Sequence, residues 1–177
     1  GGTTVAGGKN NAASADLATV AGVQNNNASA DLATVGGGLS NTAEAQFATI
    51  AGGGPADTDN PNTTNNVVYD NYGTIGGGAN NQAGSDDGDP QDPTNARYAT
   101  VGGGRGNTAS ETDATIGGGR DNTASRFRAT VGGGEYNTAS GVNTMVGGGS
   151  SNIASDDEAT VGGGQDNEAS GERATIG

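Results

Sequence analysis

The chain has 177 residues, 36 of them Gly, with no Cys, His or Trp, two Phe, four Tyr and a net charge of −13. Without His or Cys, the common catalytic triads and thiol nucleophiles are excluded, and an acidic balance with pI near 4.1 repels nucleic-acid phosphates. So few large apolar side chains cannot fill a globular core of this length, so burial has to come from stacking of like units.

The chain repeats from its first residues. Aligned on a Thr-Val or Thr-Ile pair, units begin at Thr4, Thr19, Thr34, Thr49, Thr74, Thr100, Thr115, Thr130, Met145, Thr160 and Thr175, fifteen residues apart except for intervals of 25 and 26. Each long interval is one unit plus an insertion of ten or eleven residues. The second place of every unit is β-branched: Val5, Val20, Val35, Ile50, Ile75, Val101, Ile116, Val131, Val146, Val161 and Ile176. Two places earlier stands a small residue such as Ala18, Ala33, Ala99 or Ala129, and residues two apart on a strand share a face. The spacing therefore predicts a core of these Val and Ile residues packed with Ala, and Thr pointing outward.

Further along each unit comes an Asn, from Asn11 and Asn26 to Asn152 and Asn167, followed two residues later by Ala, or by Val68 in one unit. The Asn column fits either a left-handed corner residue or a stacked amide ladder inside the coil. Gly-rich and Ser/Asp-rich corners separate the two apolar patches, which predicts two strands of three to five residues per unit. The expected fold is all-β, a parallel β-solenoid of fifteen-residue coils over residues 1–177, rising about 4.8 Å per coil. Low hydrophobicity with high charge also suits a disordered chain, but disorder does not keep residue types in fixed columns. The GGG runs are not a phosphate loop, because they follow every first strand and open no helix.

Leu17, Leu32, Phe47, Tyr72 and Tyr98 share one column, which then turns into Asp113, Arg128, Asn143, Glu158 and Arg173. A column that is apolar in one half and charged in the other belongs at the surface, either as a seam between subunits, the favoured reading, or as a stripe for a partner. Residues 1–96 carry a net charge of −9 and residues 97–177 a net −4, the second half holding six Arg. Those Arg residues read as in-register ion pairs on a solvated face, with a basic patch as the alternative.

The insertions, at 55–66 and 85–95, are rich in Pro, Asp, Asn and Thr and read as surface loops, where recognition tends to reside. Tyr69, Tyr72 and Tyr98 lie near them in sequence and, with Asp57 and Asp59, are the expected binding residues for a protein or glycan on a host-cell surface or matrix. Asp86, Asp87, Asp89 and Asp92 offer hard oxygen ligands to calcium, although their order does not match an EF-hand and a solvated acidic loop is the favoured reading. No other cofactor is expected, and no catalytic residues stand out. Asn27-Ala28-Ser29 and Asn62-Thr63-Thr64 fit glycosylation sequons. No stretch is apolar enough to enter a membrane, and the repeat runs through both ends, as expected of a piece of a longer fibre.

The run ATVGGGRGNTASETDATIGGGRDNTAS, from Ala99, resembles the YadA-like head repeats of trimeric autotransporter adhesins, which are also similar to repeats of phage tail fibres. The likeness extends over nearly all of the chain outside the insertions, although many units of that family have fourteen residues. It implies a homotrimer of left-handed parallel β-rolls on a cell surface or virion. Its implied role is an adhesive or structural segment of an extracellular fibre, or alternatively a tail-fibre segment that recognises a host. It also implies that binding is carried by the outer face or the loops. With no His or Cys and no carboxylate pair that stands out from the acidic background, no enzyme activity is expected.

Overall fold

The computed structural model describes residues 1–57, 59, 65–86 and 96–177. Every regular element among them is a strand, and the strands form two sheets. The first has eleven, from Thr4–Val5 and Thr19–Val20 to Thr175–Ile176, each taken from the Thr-Val/Ile pair of one coil. The second has ten, from Ala12–Ala13 and Asn27–Ala28 to Glu168–Ala169. All pairings are parallel and in register, Thr on Thr except where Met145 stands between Thr130 and Thr160, and Val or Ile on Val or Ile in the first sheet, as in Thr100↔Thr115 and Val101↔Ile116. The chain is thus a parallel β-solenoid of about eleven coils, and ten steps of about 4.8 Å give a rod of about 50 Å.

The strands are shorter than the sequence predicts, two residues each. A fifteen-residue coil must turn several times, and the turns begin beside the strands. The residue two places before each Thr, which is Leu17, Leu32, Phe47, Tyr72 and Tyr98 in the apolar half, sits in the left-handed region with φ from 58° to 63°. For L-residues that conformation costs roughly 1–2 kcal/mol. It recurs because it aims the residue's N–H at the preceding coil: Leu32 donates to the Asp16 carbonyl at 2.9 Å and Tyr72 to the Gln46 carbonyl at 3.0 Å. A third column of contacts, single-residue parallel bridges such as Arg105↔Arg120 and Arg120↔Glu135, completes the coil.

The core is a slit one residue thick. Val20, Val35, Ile50, Ile75, Val101, Ile116, Val131, Val146 and Val161 are fully buried against Ala28, Ala43, Ala83, Ala109 and their column mates. The expected core residues at the two ends differ. Val5 is 46% exposed and Ile176 is only partly buried, because the strand of each is paired on one side alone. The column exceptions compensate one another. Val68 replaces an Ala, and the facing position is Gly73, where an added Cβ would fall 2.5 Å from Val68 Cγ1. Thr144 replaces another Ala beside Gly141 and donates its hydroxyl to that glycine's carbonyl at 2.7 Å.

The Asn column is an internal ladder and not a set of left-handed corners. Asn26, Asn41, Asn66, Asn81, Asn107, Asn122, Asn137 and Asn152 are buried, and the left-handed residue is the one before, as in Asn25, Asn80 and Asp121. Asn41 is typical. Its Nδ2 donates to the Gly37 carbonyl in its own coil at 2.8 Å and to the Gly53 carbonyl in the next at 3.0 Å, while the Asn26 Oδ1 accepts from the Asn41 N–H at 3.0 Å. A buried amide costs little when both its ends are satisfied, and here each one ties a coil to both neighbours.

Candidate functional site

Two surface features depart from the repeat, and they hold the candidate residues. The first is the left-handed corner in front of the Thr column. Phe47 and Tyr72 stack there with ring centroids 4.8 Å apart and planes 4° from parallel, and Tyr72 and Tyr98 stack at 5.0 Å and 20°. Coils stacked in register fix the ring spacing near the strand spacing, so the geometry follows from the fold. Leu17 and Leu32 occupy the same corner, and all five side chains are 41–56% exposed. In the second half the corner becomes ionic: Arg128 pairs with Asp113 at 3.6 Å and Arg173 with Glu158 at 2.8 Å, each fifteen residues apart.

Arg120 pairs likewise with Glu135 and lies 5.1 Å from the centroid of the Tyr136 ring. Three of the six Arg are therefore in ion pairs between stacked coils, as the in-register reading expects. The Glu158 hydrogen bond and charge raise the pKa of Arg173 further.

The second feature is a ridge on the outer face of the second sheet. Asn65, Val67 and Tyr69, alternate residues of one coil, line two clefts, one on each side. The first cleft, about 360 Å³, is also lined by Asn25, Asn27, Ser40, Thr42 and Glu44. The second, about 290 Å³, is also lined by Asn80, Asn81, Gln82, Gly106 and Thr108. Asn65 Nδ2 donates to Thr42 Oγ1 at 3.2 Å across the floor of the first. Ser40 is 3% exposed, and its hydroxyl is a buried polar group with no hydrogen-bond partner. The pKa of Glu44 is raised by burial first and by the Asp86 charge second; that of Tyr69 is raised by burial, then by Asp86 and Glu44. Tyr69, Glu44 and Asp86 therefore act on one another electrostatically.

The expected binding residues thus separate. Tyr72 and Tyr98 join the stacked corner, whereas Tyr69 takes no part in that stack and faces the clefts. Asp57 and Asp59 are exposed, and the Asp59 N–H donates to Asp57 Oδ1 at 2.9 Å. Of the calcium candidates, Asp86 is exposed, while Asp87, Asp89 and Asp92 lie outside the described residues, as does Asn62 of the second sequon. Among the described residues no three His, Cys, Asp or Glu side chains converge as metal ligands, and no helix is long and apolar enough to cross a membrane.

Sequence reasoning missed Glu44, Thr42, Asn65, Gln82 and Ser40. The available signal was Tyr69 itself, which with its neighbour Glu44 breaks a column otherwise held by Ser14, Ser29, Gly84, Ser110, Ser125 and further Ser residues. No protein-family model matches the chain, and no curated protein is similar enough to match it.

Proposed function

We propose that the chain is a rigid segment of an extracellular fibre, carried on a cell surface or virion, that sets length and presents a surface for attachment. In this reading three left-handed rolls assemble side by side, with the Leu17, Leu32, Phe47, Tyr72 and Tyr98 corner as their seam. The observation that carries it is that corner: five consecutive coils expose a large apolar side chain at the same place, on a chain whose own core is one residue thick. A contiguous exposed apolar strip marks a site of association, and repeat rods with little internal burial gain stability by packing on one another.

The attachment half is tested with beads coated with the assembled chain. Expected is retention on cells or extracellular matrix above that of bare beads and of beads coated with an unrelated acidic protein. Retention no greater than on those two controls refutes the attachment role and leaves the structural one.

A further inference from the structure

We propose that the two clefts flanking Tyr69 bind a neutral, hydroxyl-rich glycan. The lining is mostly amide and hydroxyl, from Asn25, Asn27, Asn65, Gln82, Thr42 and Thr108, beside Val67 and the Glu44 carboxylate. Amide and hydroxyl groups both donate and accept, which matches sugar hydroxyls that do the same. Tyr69 adds an amphipathic ring at the ridge, with an apolar body for the C–H face of a sugar and a phenol for its rim.

Size and charge narrow the class. At about 360 and 290 Å³ the clefts lie at and just below the lower end of ligand sites, which run from about 300 to 1,000 Å³, so each suits one or two saccharide rings and not a folded protein epitope. The lining includes the Glu44 carboxylate and no Lys or Arg, and Asp86 lies within electrostatic reach. Sulfated or sialylated sugars would be repelled there.

The location also accounts for discrimination. On most coils the Tyr69 column holds Ser, so the repeat offers nearly the same outer surface many times, and the Tyr69 ridge breaks that sameness. The inference rests on the attachment half of the proposed function and is independent of how the rods assemble.

The test is an array of cellotriose, maltotriose and chitotriose with sulfated and sialylated oligosaccharides beside them, followed by titration of any sugar retained. Expected is binding to at least one neutral trisaccharide, weakened at least tenfold by Tyr69→Ser and by Glu44→Ser. Both substitutions install the residue that the repeat itself uses in this column. Thr42→Lys, which keeps Tyr69 and fills the first cleft, should abolish binding there, and Tyr136→Ser at a distant corner should leave affinity unchanged. Retention of none of the neutral sugars overturns the proposal, as does preference for the sulfated ones or binding that survives Tyr69→Ser. Beads that still adhere to cells while the array is blank would keep the attachment role and move it to another face.

Discussion

Replacing Asn122 by Ala probes what holds the coils together. Asn122 Oδ1 accepts from the Asn137 N–H at 3.0 Å and from Asn137 Nδ2 at 3.2 Å, while Asn122 Nδ2 donates to the carbonyls of Gly118 at 3.1 Å and Gly134 at 2.8 Å. After truncation Gly134 keeps the Arg120 N–H at 2.9 Å, and Asn137 Nδ2 keeps the Gly133 and Gly149 carbonyls at 2.9 and 3.0 Å. The Asn137 N–H and the Gly118 carbonyl lose the partner Asn122 gave them. At about 1–3 kcal/mol for a buried orphan, and less for the half-buried Gly118, the expected cost is about 2–4 kcal/mol. Asn122→Leu restores volume but no hydrogen bond and should rescue nothing. Asn27→Ala, on the outer face where Ala12 already occupies the column, should stay within about 0.5 kcal/mol. Urea denaturation gives the stabilities, and hydrogen exchange at the Asn137 amide reports the local opening. If Asn122→Ala and Asn27→Ala unfold alike, or if Leu restores stability, the ladder is filler and the reasoning fails.

Other substitutions carry smaller or differently placed effects. At Gly119, φ is +96° and an added Cβ would run into the Gly134 carbonyl, so Gly119→Ala should cost at least about 2 kcal/mol in thermal or urea melts. Gly118→Ala, whose nearest neighbour is 3.9 Å away, should cost less. Arg128→Ala and Arg173→Ala remove exposed ion pairs and should each change stability by under about 1 kcal/mol, an effect that shrinks further in high salt. Because the folded-state pKa of Glu44 is raised, its favourable contribution is present below the unfolded value of 4.5 and lost as pH rises through the folded one. Glu44→Gln should therefore match the parent in acid and be slightly more stable at neutral pH. A difference that grows towards acid would contradict the burial assigned to that carboxyl.

The parallel stack and its register were legible because a solenoid writes each structural position once per coil. The alternation of Ala18, Thr19 and Val20 told inside from outside, and fifteen-residue spacing told which residues stack. What escaped is conformation that residue type argues against. Glycine carries positive φ at least cost, yet Leu32, Phe47 and Tyr98 hold it too, because an N–H bond to the neighbouring coil offsets the strain. That hidden turn also shortened the strands. The Asn column was recognised but not placed, since corner and ladder leave the same trace in sequence. The clefts were missed because they arise from side chains of three different columns, Asn65, Val67 and Tyr69 with their neighbours in adjacent coils, and no single column records that.

Assembly is the claim on which the proposed fibre stands, and sedimentation equilibrium tests it directly. At micromolar concentration the account predicts a species of three times the 16.9 kDa chain mass, dispersed by Leu32→Ser with Phe47→Ser. A parent chain that sediments as a monomer of 16.9 kDa and unfolds cooperatively on its own would contradict it.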